Sequence, residues 1–546
     1  MLSVLKQEAT PNAVDDGPPI SVPDSGDTGE SGKLKMIVQL VRKCMGIKDI
    51  ASMRLSLPAS LLEPIPNLEY WHYLDRPDLF AAINDSEDSF ERMLAVLRFT
   101  FSKDLKFIRG KVCKPYNSVL GEHFRAHWDV IPVSYPADPR EPPLQHSYVS
   151  NPASTSSSAG RLSTESDSVK SGRSAFSYMS FGRTAKSTPA TSPEPVESNI
   201  DAQISSLSLG AGATELLEAD SDDKTKKRIR VIYVTEQVSH HPPVSSYYAT
   251  CPARQIELRG VDQISAKVSG TTLRVNPGSY NQGIFLNIAG GPGGGEEYHI
   301  SHPVASVNGI LRGNFYITVA DSTIITSKGA QDGVNYRAII DYKEESWIGR
   351  AMFALEGVIH TYEEGETEHE EWTKSKHVPA DRIIAHFDGS WKGRIRYRLT
   401  NGWTPTSSKS SPVPSAATSR SDLAVGTEDE WATLIDISTL YPVPKAVRPL
   451  EDQLPTESRR LWDPVTSRLL NKEYSEATKF KQAIEQKQRD DAAERKNKGI
   501  EFIPVYFQKD IDNGIPQLTA EGRKAVEEEL AEGPRYPLEA APSKPT

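Results

Sequence analysis

Residues 229–262 read IRVIYVTEQVSHHPPVSSYYATCPARQIELRGVD. Polar and apolar residues alternate on both flanks of this stretch, which is typical of β-strands, and the central prolines predict a turn because proline donates no ladder hydrogen bond. So many similar segments within about 170 residues predict a large antiparallel sheet or barrel. The predicted strand segments are 229–235, 245–250, 255–260, 271–275, 283–289, 309–320, 322–327, 334–342, 350–362 and 391–399.

Helical patterns lie on both sides of the strands. An apolar face on a helix over 34–47 is formed by Met36, Ile37, Leu40, Val41 and Cys44, which recur at helical spacing. A second helix is predicted within 86–105, where an acidic start suits the helix dipole. A third, charged helix covers 471–499 and ends at Gly499, a favourable C′ residue.

Four segments lack this periodicity. Residues 1–32, 147–223 and 403–428 are rich in Ser, Pro, Gly or acidic residues and are predicted to be disordered. Residues 516–546 are interpreted as a C-terminal tail, helical at most and then Pro-rich.

Composition excludes several classes of function. The 546 residues carry a formal net charge of −10, which argues against general nucleic-acid binding. The three cysteines, Cys44, Cys113 and Cys251, are odd in number and widely spaced, so a reducing compartment fits better than a disulfide framework. No run of 18 apolar residues occurs, so contact with membranes is expected to be peripheral.

The histidine pair in EQVSHHPPVSSYY (236–248) is the sharpest local feature. Adjacent residues on a strand point to opposite faces, so His240 and His241 would chelate zinc poorly, and no Cys or carboxylate lies at zinc-site spacing. The sequence therefore predicts no metal site. Taken alone, the motif favours ordinary core or loop histidines.

Two further segments offer charged groups. KPYNSVLGEHF (114–124) places the ammonium of Lys114 near the carboxamide of Asn117 in a rigid turn, a combination that suits a phosphate. Lys481, Glu485 and Arg489 form one stripe on the charged helix. Each feature has an ordinary alternative, a solvated basic run or a ladder of ion pairs between helical turns.

These three segments occur in this order in the oxysterol-binding-protein-related family, and the chain resembles that family over 33–146, 224–402 and 429–507. SLPASLLEPIPNLEYW (56–71) and LPTESRRLWDPVTSRLLNKEYSEATK (454–479) are also similar.

The resemblance implies a mixed, mainly β fold: a large, near-complete antiparallel β-barrel with an apolar tunnel, an N-terminal lid helix and flanking helices. The lipid-binding domain is then 33–515, with lid and lead-in at 33–70 and a C-terminal helical part at 456–499. The chain would be a short form without a pleckstrin-homology or ankyrin region.

By the same resemblance, the inositol 4-phosphate head group would be surrounded by Lys114, Asn117, His240, His241, Lys481 and Arg489. Glu485 would buttress the basic side chains or accept from inositol hydroxyls. The apolar face of the lid would contact lipid, and Glu122 would be structural. No cofactor and no catalytic residue is implied; nucleophile-elbow and P-loop motifs are missing from the sequence.

The implied function is exchange of a sterol or phosphatidylserine for phosphatidylinositol 4-phosphate between two membranes. The SRRLW segment (458–462) resembles the phosphatidylserine-carrying branch, yet Ala266 falls where a serine is associated with head-group selection there, so the second lipid stays open. The alternative is a sensor or scaffold that binds these lipids without net transport. A cytoplasmic monomer is expected, peripheral on membranes at organelle contact sites that include the endoplasmic reticulum.

Overall fold

The structure is a computed structural model that describes residues 20–21, 30–51, 55–109, 113–146, 148–150, 216–218, 226–270, 272–310, 315–345, 352–400, 431–534 and 536–542. The predicted disordered loop 403–428 lies outside them, as do most of 1–32 and 147–223. Within 147–223, the described residues 148–150 and 216–218 pair as two short antiparallel strands. The prediction of disorder in the rest of these segments stays a prediction.

The bounds of the described strands are β1 Ile20–Ser21, β2 Leu55–Ser56, β3 His123–Val130, β4 Tyr148–Ser150, β5 Leu216–Glu218, β6 Ile229–His240, β7 Pro243–Cys251, β8 Ile256–Asp262, β9 Ile264–Ser269, β10 Thr272–Pro277, β11 Ile284–Ile288, β12 Glu297–Ile300, β13 Val304–Asn308, β14 Tyr316–Ala320, β15 Ser322–Lys328, β16 Asn335–Tyr342, β17 Ala354–Tyr362, β18 Ile383–Ser390, β19 Arg394–Leu399 and β20 Ala432–Asp436. Each predicted strand segment contains a described strand, but β3, β9, β12, β13, β18 and β20 of the two larger sheets lie outside the predicted segments.

Twelve of the described strands form one antiparallel sheet in the order β20-β19-β18-β17-β16-β15-β12-β11-β8-β7-β6-β3. Two hairpins, β9–β10 and β13–β14, leave this sheet and pair with each other through β10 and β13 to form a second, four-stranded sheet. The predicted mainly β fold with a large antiparallel sheet is therefore confirmed.

The α-helices in the described residues are α1 Glu30–Cys44, α2 Asn67–Tyr70, α3 Pro77–Ala81, α4 Ser89–Ser102, α5 Lys106–Arg109, α6 Ser458–Leu470, α7 Tyr474–Lys498 and α8 Ala520–Ala531. Asp88 caps α4 by accepting from the amides of Phe90 and Glu91. Gly499 ends α7 with a left-handed φ of 63°, as predicted. The helix predicted over 34–47 begins earlier, at Glu30, and ends at Cys44.

The large sheet curls around α4. Arg92 of α4 pairs with Glu296, next to β12, and Arg98 donates to the carbonyl of Leu434 in β20 (3.0 Å). The two strands are six steps apart in the sheet order, roughly 29 Å in a flat sheet, whereas the two arginines are roughly 9 Å apart along the helix. Curvature of the sheet brings both strands within reach of one helix.

Chain leaving one edge of the sheet returns to the other edge. After β20, the backbone of Ala446 exchanges two hydrogen bonds with His127 of edge strand β3 (2.8 and 3.1 Å). The indole of Trp128 donates to the carbonyl of Val443 (3.0 Å). This connection bridges the two edges of the curled sheet.

The C-terminal segment contradicts the interpretation of 516–546 as a tail outside the domain. Helix α8 packs on β3 and β6, and its own residues Gly522, Ala525 and Glu529 are buried. Beyond α8, the backbone of Arg228 bonds to Pro537 and Glu539. The charged composition of the segment hid this docking, in which the buried Glu529 forms ion pairs and Ala525 packs in an apolar cluster with Val234 and Tyr506.

Among the described residues, none of the helices has the length and apolar character needed to cross a membrane.

Candidate functional site

The loop 113–122 lies between residues 63–65, which precede α2, and helix α6. The amide of Glu63 donates to the carbonyl of Lys114, and the amide of Tyr116 donates to that of Ile65 (3.0 and 3.1 Å). The buried ring of Tyr116 stacks on Trp462 at 4.8 Å between centroids. Proline at 115 and this stacking fix the backbone, so the side chains of Lys114 and Asn117 are presented from a rigid turn.

Glu122 fastens the end of this loop to α6. Its buried carboxylate accepts from the Ser458 hydroxyl (2.6 Å), the Trp462 indole (3.0 Å) and the amide of Val119 (3.0 Å). Burial raises the pKa of Glu122 to about 7, against the opposing effect of these hydrogen bonds. The geometry supports the structural role expected for this residue.

Strand pairing carries the histidine turn to the same edge of the sheet. The amide of Gly121 donates to the carbonyl of Gln237 (2.9 Å), and the amide of Gln237 donates to that of Glu122 (2.8 Å). Strand β6 continues past this point to His240, and the half-buried rings of His240 and His241 meet edge to face at 4.6 Å. The histidine turn therefore begins beside the loop that carries Lys114.

Two ammonium groups meet at this edge. Lys481 of α7 is buried, with 3% of its surface exposed, and bonds to Glu485 (2.5 Å). Lys114 is accessible and donates to the Asn117 carboxamide oxygen (2.5 Å). The surrounding protein desolvates the Lys114 ammonium, and the charge of Lys481 repels it, so its pKa falls to about 8.

The structure thus brings together Lys114, Asn117, Lys481 and Glu485. Arg489 lies two turns further along α7, exposed, and its guanidinium donates to Gln486 (2.7 and 3.0 Å). Gln488, which the sequence reasoning missed, accepts from the amide of Leu120 (3.2 Å) and ties α7 to the loop.

Glu236 is a second residue that sequence reasoning missed. It is buried next to the histidine motif and accepts from the amides of Val505 (2.8 Å) and Tyr506 (2.7 Å). Burial raises its pKa. A carboxylate inside the mostly apolar strand β6 was the available signal, because a buried charge needs partners.

The four-stranded sheet has one apolar face. Register places Val268, Leu273, Val307 and Ile317 in one cross-strand row and Ala266, Val275, Ala305 and Val319 in the next row on the same side. The opposite side carries polar residues such as Lys267, Arg274 and Thr318. Ala266, Val268 and Ile317 are buried, and the other apolar members are only half-buried.

Helix α1 lies against this sheet at β9. The backbone just after α1 is tied to Ala266: the amide of Ile50 donates to its carbonyl (2.6 Å), and its own amide donates to the Asp49 carboxylate (2.8 Å). On the predicted apolar face of α1, Met36 and Cys44 are buried, whereas Ile37, Leu40 and Val41 are half-buried.

Across the described residues, no group of three or more His, Cys, Asp and Glu side chains is arranged to hold a metal ion.

Comparison with known proteins places the chain among relatives. The family model described as oxysterol-binding protein matches residues 36–149 and 214–528. Oxysterol-binding protein-like protein 1 of Schizosaccharomyces pombe is 37% identical over 557 residues, which cover 97% of this chain and 98% of the relative. Oxysterol-binding protein homolog 7 of Saccharomyces cerevisiae is 28% identical, over 58% of this chain and 62% of the relative.

A solved structure shares the fold. The crystal structure of the Osh1 ORD domain in complex with ergosterol matches with a TM-score of 0.52 at 18% identity, covering 95% of this chain and 91% of that one. The chain belongs to the oxysterol-binding protein family, whose members bind and transfer lipids and are not enzymes.

Proposed function

We propose that this protein is a lipid-transfer protein that extracts a sterol or phosphatidylserine from one membrane and exchanges it for phosphatidylinositol 4-phosphate at another. The observation that carries the proposal is the cationic edge built from the loop 113–122 and α7. A four-stranded sheet of the same protein has an apolar face, and helix α1 lies against that sheet.

The charges at this edge suit a phosphate. Lys114 and Lys481 supply two ammonium groups and Glu485 supplies one carboxylate, so the cluster keeps a positive excess. A phosphomonoester near −2 needs several charge-assisted hydrogen bonds to offset its desolvation. Asn117 and the half-buried His240 and His241 add donors of the kind that phosphate and inositol oxygens accept. Arg489 would join them by leaving Gln486.

The apolar sheet face suits the lipid chains. A phospholipid carries about 30 methylenes at ~0.8 kcal/mol each, so passage through water costs roughly 25 kcal/mol. We assign the tunnel wall to the half-buried face that includes Leu273, Val275 and Val307. Helix α1 acts as the lid, and its half-buried Leu40 and Val41 contact the bound chains. The curled sheet and its Ala446–His127 connection support a near-complete barrel around this space.

Exchange follows if both lipids use one tunnel, because they then exclude each other and a gradient of the phosphoinositide drives the second lipid uphill. The Osh1 domain of the same fold is solved with ergosterol, which supports a sterol as that lipid. Ala266 has its backbone engaged at the root of the lid and offers no side-chain hydroxyl there. The protein would act in the cytoplasm as a monomer, peripherally at organelle contact sites that include the endoplasmic reticulum.

Transfer between vesicles tests the proposal. Wild-type protein should extract phosphatidylinositol 4-phosphate from donor vesicles and deliver it to acceptors, and His240→Ala with His241→Ala should abolish extraction without changing the unfolding midpoint. His377→Ala is the control, since that histidine is exposed in another part of the chain. Undiminished extraction by the double variant would remove the site assignment. Tight binding without movement of lipid would indicate the sensor or scaffold.

A further inference from the structure

Past the end of α7, an extended segment exposes three large apolar side chains. Ile500 is 56% exposed, Ile503 75% and Val505 44%. In this segment, hereafter the 500–505 patch, side chains on the other side point inward, and Tyr506 is buried. Exposed apolar residues scattered singly need no explanation, but a cluster on one short segment marks an interaction surface.

The 500–505 patch is fixed beside the proposed head-group site. The ring of Phe502 lies so close to Gly121 that a Cβ added there would be 3.2 Å from Cε2. The Glu236 carboxylate holds the amides of Val505 and Tyr506. Both anchors belong to the loop and strand that carry Lys114 and His240, so the patch is held rigidly at the same edge of the protein.

Basic residues flank the patch. The last turn of α7 carries Arg495, Lys496 and Lys498, and Arg495 lies over the ring of Phe502 at 6.0 Å. Lys498 pairs with Glu494, but in the described part of the chain no carboxylate is within ion-pair distance of Arg495 or Lys496. Within the patch, the exposed Glu501 is neutralised by its ion pair with Lys509. Arg495 and Lys496 beside exposed isoleucines therefore match the two layers of an anionic bilayer surface, phosphates outside and hydrocarbon inside.

We infer that the 500–505 patch and the last turn of α7 form a docking surface for an anionic membrane. Ile500 and Ile503 enter the acyl boundary while Arg495 and Lys496 contact lipid phosphates. Docking in this pose presents the Lys114 edge to the bilayer, so a head group leaving the membrane has a short path to its site. The relevance for lipid uptake rests on the proposed function, whereas docking itself does not.

Sedimentation with vesicles tests the docking surface on the full chain. Vesicles of phosphatidylcholine and phosphatidylserine, without phosphatidylinositol 4-phosphate, measure docking alone. Ile503→Ser should lower the partition coefficient about tenfold, because one large apolar side chain no longer enters the bilayer. Arg495→Gln with Lys496→Gln should lower it several-fold at low salt and leave binding to pure phosphatidylcholine unchanged. Leu144→Ser, which changes a residue 56% exposed far along the chain, is the matched control and should have no effect.

A probe at the patch separates the outcomes. An environment-sensitive fluorophore on Ile503→Cys, in a Cys113→Ser background, should shift its emission to the blue when anionic vesicles are added. Unchanged emission while the protein sediments would overturn the inference, since another face would then dock. A dimer in solution that Ile503→Ser dissociates would overturn it too, because the patch would then bind a second copy.

Binding of soluble glycerophosphoinositol 4-phosphate distinguishes failure of this inference from failure of the proposed function. It should survive Ile503→Ser. If wild-type protein docks on vesicles but does not bind this compound, the head-group proposal fails and the docking surface stands.

Discussion

Helices α1 and α8, near opposite ends of the described chain, both pack on sheets, but they are held by different forces. In α8 the carboxylate of Glu529 is fully buried, 2.9 Å from His127 Nδ1, 3.6 Å from Arg125 Nε and 3.5 Å from Arg448 Nε. Glu457 also contacts both arginines, so Glu529 belongs to a buried charge network that is costly to break.

Both ends of α8 are also fixed. The Thr519 hydroxyl accepts from the amide of Gly522 (3.0 Å) at the first turn. At the last turn, Arg230 donates to the carbonyls of Glu529, Leu530 and Glu532 (3.0, 3.2 and 2.6 Å). These contacts clamp β3 and β6, the strands that lead to the loop 113–122 and to His240.

Helix α1 is held more lightly. Its charged residues Lys35 and Arg42 face solvent, its central apolar residues are half-buried, and the backbone that follows it is tied to the sheet through Asp49. When α1 leaves the sheet, its apolar contacts can be replaced by contacts with another apolar surface. The buried ion pairs of Glu529 cannot be replaced in this way. The difference indicates a fixed C-terminal brace behind the site and an N-terminal element suited to opening, as expected for segments of low local stability.

The largest effect should come from breaking the brace. Glu529→Ala removes the carboxylate shared by Arg125, His127 and Arg448. The arginines keep Glu457, but His127 loses this partner, and we expect unfolding to become easier by about 3–4 kcal/mol. Glu527→Ala, on the exposed side of the same helix, should change stability by less than about 0.5 kcal/mol. Urea denaturation of both variants measures this; equal stability would show that α8 is not a brace.

The second largest loss of stability is expected from Glu122, at the end of the loop 113–122. Glu122→Ala leaves the Ser458 hydroxyl, the Trp462 indole and the Val119 amide without an acceptor, for an expected loss of about 3 kcal/mol. Because the folded pKa of Glu122 is raised to about 7, its stabilisation is full below its ordinary pKa and is lost as pH rises through 7. In denaturation experiments, the free energy of unfolding of Glu122→Gln relative to wild type should therefore increase between pH 5 and pH 8. A constant difference across this range would contradict the raised pKa.

A smaller effect should appear at the cationic edge. Lys114 has a lowered pKa of about 8 in the free protein, so above that pH it must take up a proton to bind an anion. We expect affinity for glycerophosphoinositol 4-phosphate to fall about twofold from pH 7 to pH 8 and roughly thirtyfold from pH 7 to pH 9.5. Lys114→Arg should bind without this decline, since arginine stays protonated. Calorimetric titration across this pH range measures both affinities. The same pH dependence for wild type and Lys114→Arg would show that Lys114 does not contact the ligand.

The smallest effect concerns the lid. Asp49→Ala removes the acceptor for the amide of Ala266 (2.8 Å) and for that of Ala51 (3.0 Å). A loss of about 1 kcal/mol at this root should make opening about fivefold more frequent with little change in global unfolding.

Cys44 reports this opening. It is buried on α1, and burial raises the pKa of its thiol, so it should react with maleimide only when the helix lifts. In a Cys113→Ser background, Asp49→Ala should raise the labelling rate of Cys44 but not that of Cys251, which is buried in the core. Asp49→Asn keeps an acceptor oxygen and should label slowly. Equal rates in all three proteins would refute a hinge at Asp49.

Sequence periodicity was sufficient for the ten predicted strand segments, for α4 and for α7 with its Gly499 end, because these depend on local patterns. It missed other strands of the sheets, among them β3, β9 and β18. It also missed α8 as part of the domain, since Glu529 reads as a solvated charge and its partner His127 lies 402 residues away in the sequence. The proximity of Lys114 to Lys481 likewise depends on the fold. The family resemblance predicted that they lie together, whereas their spacing in the sequence could not predict it.

Extraction of phosphatidylinositol 4-phosphate by a Lys114→Ala variant tests the central claim most directly. Lys479→Ala is the control, because Lys479 lies on the same helix as Lys481 but is exposed and paired with Glu476. After incubation with vesicles, lipid bound to the re-isolated protein is quantified by mass spectrometry. We predict near-stoichiometric phosphatidylinositol 4-phosphate on wild type and on Lys479→Ala, and at least tenfold less on Lys114→Ala. Equal loading of all three proteins would contradict a head-group site at this edge.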